Sequence, residues 1–183
     1  EEEGYIQEWK AANHKLEETE AEIERLANLA EQVLRKSLRH VNFRFLRVNC
    51  GKAQSFLMEK AESLRLRLQA HICEVWQAKN KVVCERFQAI KDRLVQTPDS
   101  TEAMNDLEKF MDAATVDLDE LDEEIITSIG ECSALEKGMF HQPDEANSLF
   151  WVMRNWPQQI NDTMNQTRGL LASAHTRYLE ELK

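Results

Sequence analysis

Five glycines and three prolines in 183 residues leave few places where a helix would have to stop. That scarcity argues against a fold of many short strands joined by tight turns and for a small number of long helices. Aromatic residues make up only 7% of the chain. No run approaches the roughly 18 apolar residues of a membrane-spanning helix, and no charged-then-apolar leader opens the sequence, so neither a membrane span nor a signal peptide is expected. The default expectation is an intracellular setting. Cys50, Cys73, Cys84 and Cys132 show no C-x-x-C spacing. On one helix Cys73 and Cys84 would lie roughly 16 Å apart, beyond disulfide reach, so four reduced and mostly core-facing thiols are expected.

Catalytic signatures are missing as well. A helical bundle can house a di-iron site, which needs Glu-x-x-His pairs, yet none of His14, His40, His71, His141 or His175 has a Glu three positions earlier. There is no phosphate-binding G-x-x-x-x-G-K-[ST] loop, no G-x-S-x-G elbow and no zinc-ligand spacing. No catalytic residue, cofactor or metal site is therefore assigned.

What is present is helical periodicity. The expected fold is all-α, an elongated antiparallel bundle of about four long helices near residues 4–39, 52–96, 98–136 and 144–183. The first carries Ile6, Trp9, Leu16, Ile23, Ala27, Ala30 and Leu34 on one stripe, interrupted by Asn13 and Glu20. The second carries Leu57, Ala61, Leu64, Leu68, Ile72, Val75, Val83, Phe87, Ile90 and Leu94. The third opens at TPDSTE, where Thr97 caps with Pro98 at the first helical position, or Asp99 caps with Glu102 as its partner. Its stripe is Ala103, Leu107, Phe110, Ala114, Leu118, Leu121, Ile125, Ile129, Cys132 and Leu135. The fourth runs from Asp144 through Phe150, Met153, Trp156, Ile160, Met164, Leu171, Ala174, Tyr178 and Leu182, with Pro157 expected to kink it or remove a turn. The sequence opens on Glu-Glu-Glu, and a helical pattern still runs at Leu182 and Lys183. Residues 1–183 are accordingly expected to be one bundle segment excised from a larger chain.

One stretch breaks the pattern. In HVNFRFLRVNC, His40 to Cys50, Val41, Phe43 and Phe45 alternate with Asn42 and Arg44 in the period of a strand. With no second strand expected, residues 41–48 are either an extended connection or a strand that pairs with a part of the parent chain outside this segment.

Charge is segregated. Residues 1–34 hold ten acids and three bases, 35–96 five acids and fourteen bases, and 97–146 fifteen acids and two bases. A basic second helix between acidic neighbours selects its partners, although each exposed pair contributes only about 0–1 kcal/mol. Arg35, Lys36, Arg39, Arg44, Arg47 and Lys52 would suit nucleic acid in another setting; in a chain of net charge −10 the reading favoured is internal pairing, without nucleic acid or membrane as partner. The acidic run DLDELDEE, Asp117 to Glu124, reads as a solvated face around Leu118, Leu121 and Ile125 in preference to a cation site or a docking patch. Trp76 and Trp156 fall on or beside apolar stripes. Trp151, next to Phe150 at an edge of the stripe where it can face outward, is a candidate partner contact, together with Phe43, Phe45, Arg44 and Arg47 of the strand-like stretch.

Several motifs recur in one order. Cys84-Glu85-x-Phe87-x-x-Ile90-x-x-x-Leu94 precedes Thr97-Pro98-x-x-Thr101-Glu102, followed by a helix with Leu107 and Phe110. FLRVNCGK, Phe45 to Lys52, lies before them and FWVMRNWPQQI, Phe150 to Ile160, after them. In this order the chain resembles the tail of axonemal dynein heavy chains just before the motor's linker, over most of its length. The resemblance implies a mechanical segment that links cargo or docking subunits to an ATP-driven ring, in the cytoskeleton of the cilium or flagellum axoneme. It implies neighbouring tail segments and dynein intermediate or light chains as partners. The family's ATPase sites and microtubule-binding stalk lie elsewhere in the parent, so no catalytic residue carries over. A spectrin-like or coiled-coil cytoskeletal scaffold is the alternative, and it predicts an internal repeat that helices 3 and 4 do not supply.

Overall fold

The computed structural model describes residues 2–12, 14 and 16–181. The expected positions Asn13 and Leu182, and the side chains of Leu16 and Tyr178, lie outside what is described. The fold is all-α with long packed helices and one small antiparallel sheet. In chain order the elements are α1 (Glu2–Ala11), α2 (Leu16–Lys36), β1 (His40–Phe43), β2 (Leu46–Asn49), α3 (Gly51–Leu94), α4 (Thr101–Lys137) and α5 (Asp144–Glu181). They fall into two compact units, Glu1–Trp76 with Gly130–Gln142, and Gln77–Ile129 with Pro143–Lys183.

In the first unit, Ile23 and Leu26 of α2 and Leu68 of α3 form a buried cluster with Ile6 of α1. The single helix expected over 4–39 is two helices. Ala12 N–H bonds back to the Trp9 carbonyl at 3.3 Å, and the His14 ring stacks on Trp9 with centroids 3.7 Å apart, so the chain turns where the apolar stripe fails. The Tyr5 hydroxyl then ties α1 to α2 by donating to the Glu22 carboxylate, which also accepts two Arg25 N–H bonds at 2.7 and 2.5 Å. Those Arg25 bonds hold Glu22 below the usual carboxylate range, outweighing the opposite effect of its partial burial.

The expectation of a lone strand over 41–48 is overturned. β1 pairs with β2 as an antiparallel hairpin, with Val41 opposite Val48 and Phe43 opposite Leu46. The alternation reads as one strand because the loop, Arg44 and Phe45, contains no Gly, Asn or Asp. Arg44 itself supplies the positive φ, 46°, that a two-residue hairpin turn needs at its first position. At the base of the hairpin Cys50 N–H bonds to the Arg39 carbonyl at 2.9 Å. The Gln54 amide then reaches the carbonyls of Val33, Leu34 and Ser37 at 3.5, 3.2 and 3.5 Å, satisfying the orphan acceptors at the end of α2.

The end of α4 inverts the usual use of glycine. Phe140 N–H bonds to the Leu135 carbonyl at 3.1 Å and Met139 N–H to the Glu136 carbonyl at 2.9 Å, a Schellman pair, and Met139 takes the left-handed position with φ 54°. Gly138 stands one residue earlier for a different reason. Its carbonyl accepts Arg65 Nη1 at 2.6 Å and Gln69 Nε2 at 2.9 Å, and a Cβ there would collide with the Gln69 amide.

The second unit is a three-helix arrangement with a seven-residue rhythm. Buried positions step by three and four through Asn80, Val83, Phe87, Ile90 and Leu94 on α3. They do the same through Met104, Leu107, Met111 and Ala114 and on to Leu121, Ile125 and Ser128 on α4. Alternating three- and four-residue steps keep one seam facing its neighbours along a packed helix. Asn80 against Ser128 and Arg86 against Glu124 make α3 and α4 antiparallel. Phe87 against Trp156, with centroids 5.9 Å apart, and Leu94 against Thr167 lay α5 parallel to α3. The expected stripes err where they follow apolar residues alone. Leu57, Val75 and Ile129 are exposed, whereas Met104, Met111, Asn80 and Ser128 are buried. Neither expected cap starts α4. Ser100 does, its carbonyl accepting Met104 N–H at 3.0 Å and its hydroxyl accepting Ala103 N–H at 3.1 Å. α5 continues unbroken through Pro157.

Gly138→Ala lowers stability by about 1–3 kcal/mol, because the buried Gln69 has to give way, whereas Met139→Gly raises it by about 1 kcal/mol by relieving the left-handed backbone; paired urea melts measure both. Ser128→Ala costs about 1–3 kcal/mol by stranding the buried Asn80 amide, and adding Asn80→Leu recovers part of the loss. Strictly additive losses in that double-mutant cycle would refute a coupled pair.

Candidate partner-contact surface

The strand-like stretch and the α5 tryptophan were the positions expected to touch partners, and the fold places them in different units. Phe43, Arg44, Phe45 and Arg47 share the β1–β2 hairpin of the first unit, and Trp151 lies on α5 in the second. All five are exposed. Phe45, at the tip of the turn, is 99% exposed and Phe43 61%.

Trp151 is 58% exposed while its neighbour Phe150 is buried, since adjacent residues on a helix point about 100° apart. The Arg154 guanidinium sits 5.2 Å from the Trp151 ring centroid and 5.9 Å from that of Phe150, bridging the exposed ring and the buried one. Trp76 and Trp156 are core residues as expected. The Trp156 indole N–H is buried without a partner of bonding geometry. Its approach to the Cys84 thiol lowers that thiol's pKa by less than burial raises it.

The chemistry available elsewhere is muted. None of the four cysteines is in a disulfide, Cys73 and Cys132 being buried and the other two half-buried. Burial pushes the Cys73 thiol up as well, the reverse of what a nucleophilic thiol needs. Among the described residues no group of three or more His, Cys, Asp or Glu could hold a metal ion. The acidic run around Leu121 and Ile125 is occupied in part: Arg86 of α3 reaches Glu124 at 2.7 Å and Glu120 at 3.5 Å, the basic-to-acidic pairing that the charge pattern predicts. Asp122 is raised, first by burial and then by Asp119.

A cavity of about 590 Å³ in the first unit is lined by Ile23, Ala27, Met139 and several charged residues. Four of those charges pair, Lys137 with Glu20 at 3.2 Å and Arg65 with Glu62 at 2.5 Å, and Glu24 adds one further acid. No described helix is long and apolar enough to cross a membrane. The buried polar residues Gln69 and Asn80 were missed by sequence reasoning. Stepping back from Val83 by three, four, three and four residues would have found both, at the seam positions Asn80, Trp76, Cys73 and Gln69.

No protein-family model matches the chain. It is 27% identical over 179 residues to dynein axonemal heavy chain 12 of Homo sapiens, covering 97% of this chain. It is 26% identical over 170 residues to the protein of the same name from Mus musculus, covering 92%, and 23% identical over 178 residues to that from Rattus norvegicus, covering 97%. The chain spans only 5–6% of the length of these relatives. Similarity running through nearly the whole chain supports a segment of a dynein heavy chain.

The two α5 tryptophans separate packing from surface. Trp156→Ala costs about 3–5 kcal/mol, whereas Trp151→Ala stays within about 1 kcal/mol and leaves the thermal transition nearly in place. Comparable losses at both positions in calorimetry would contradict the exposure of Trp151.

Proposed function

We propose that this chain is a non-catalytic, load-bearing segment of the tail of an axonemal dynein heavy chain, N-terminal to the motor's linker. In that role it connects docking subunits or cargo to the ATP-driven motor in the cilium or flagellum. The carrying observation is the similarity to axonemal heavy chains that extends over 92–97% of the chain. The packing suits the role. Long helices held in register by seven-residue seams distribute load over many side chains, none of which has to move for a reaction to occur. Neighbouring tail segments and dynein intermediate or light chains are the proposed partners, with no nucleic acid, membrane or cofactor.

A second reading, a spectrin-like or coiled-coil cytoskeletal scaffold, draws on the up-down-up course of α3, α4 and α5 in the second unit. The two are distinguished by capture from ciliary extract with this chain as bait and cross-links mapped by mass spectrometry. A tail segment recovers dynein heavy or intermediate chains, cross-linked to it at defined lysines. Recovery of other cytoskeletal proteins with no dynein subunit would overturn the tail reading in favour of the scaffold.

A further inference from the structure

The hairpin register sorts its side chains completely. Residues opposite one another across an antiparallel pair share a face, and neighbours along a strand alternate. Val41, Phe43, Leu46 and Val48 therefore line one face, and His40, Asn42, Arg47 and Asn49 the other. The apolar face is largely uncovered. Phe43 is 61% exposed, Leu46 70% and Val48 45%, with Phe45 projecting fully at the tip. A two-stranded hairpin is marginal in water unless one face packs on something, so an amphipathic hairpin left open on its apolar side lacks a layer.

The charge around it says what that layer carries. From Gln32 to Met58 there is no acidic residue, while Arg35, Lys36, Arg39, Arg44, Arg47 and Lys52 all fall within the stretch, in a chain of net charge −10. The flanking acid Glu31 is already engaged by Arg35. Arg44 and Arg47, on the hairpin itself, are exposed.

We propose that the apolar face of the β1–β2 hairpin docks an amphipathic helix from outside residues 1–183, apolar on the side that meets Val41, Phe43, Leu46 and Val48 and acidic along its flanks. A helix fits better than an added strand. What is open is a face, and a helix laid on a sheet buries a face, whereas a third strand would extend the edge and leave the apolar side wet. Acidic flanks complement the local excess of arginine and lysine and speed encounter. The proposal stands on the hairpin alone, independent of any dynein assignment, and its test uses no ciliary component.

The test is fluorescence anisotropy with the full 183-residue chain and two synthetic peptides of about five helical turns. Both carry leucine along one face; the rest of one is glutamate, and of the other lysine at the same positions. The glutamate peptide binds saturably, binding weakens with added salt, and the lysine peptide does not bind. Phe43→Ser with Leu46→Ser lowers the affinity at least about tenfold, and Arg44→Glu with Arg47→Glu, charges at the turn and on the opposite face that act through the local field, lowers it by less and slows association. Helical circular dichroism is unchanged in both variants because the four residues are exposed, and Trp151→Ser leaves the affinity as it was. Equal binding of the two peptides, no binding of either, or binding indifferent to the hairpin variants overturns the proposal. So does concentration-dependent self-association, seen by sedimentation and abolished by the same variants, which would make a second copy the occupant.

Discussion

Three- and four-residue steps alternating along α3 and α4, and mixed less regularly along α5 around Trp156, are the constraint on which the rest of the second unit depends. A strict seven-residue repeat keeps a seam aligned over many turns, so each helix meets its neighbours along its length. The repeat is not wholly apolar. Asn80 and Ser128 meet inside it at 2.6 Å, and Thr167 places its hydroxyl 3.0 Å from the carbonyl of Leu94 at the end of α3. A buried polar pair stabilises little, but it permits only the register in which both partners meet. In the first unit Gln69 occupies a position of the same repeat, and its amide reaches the carbonyl that ends α4.

How far the sequence was readable follows from which residues signal by composition and which by position. The long helices and the burial of Trp76 and Trp156 were legible, because large apolar side chains at helical spacing have few other places to go. Asn80 and Gln69 were not, since a polar residue announces surface until the seam is traced through it. At the start of α4 there were too many signals. Thr97, Asp99 and Ser100 are all good caps within four residues, and only the backbone decides that Ser100 provides the bond. At the hairpin the signal was absent, because a left-handed Arg44 carries none of the Gly or Asn that marks such a turn.

Charge and surface chemistry follow a similar division of labour. Basic residues of α3 meet acids of α4 at Arg86, yet such exposed pairs guide which helices adjoin more than they hold them together. The thiols are raised by burial where they are shifted at all, and four of the charged side chains lining the cavity of the first unit are held in ion pairs. On the hairpin between α2 and α3 the exposed groups include a contiguous apolar set, Phe43, Phe45, Leu46 and Val48.

That hairpin turns through a residue poorly suited to the task. A left-handed arginine costs about 1–2 kcal/mol relative to a residue without a Cβ, in an element that has little packing of its own to offset the cost. The free-energy gap between the paired hairpin and a frayed one is narrowed by that amount. Any ligand of its face is discriminated by how much of the time the face exists, since apparent affinity scales with the competent fraction. Arg44 therefore bears on the docking proposed above in two ways, through its left-handed backbone and through its exposed charge, and the two effects are separable by changing one without the other.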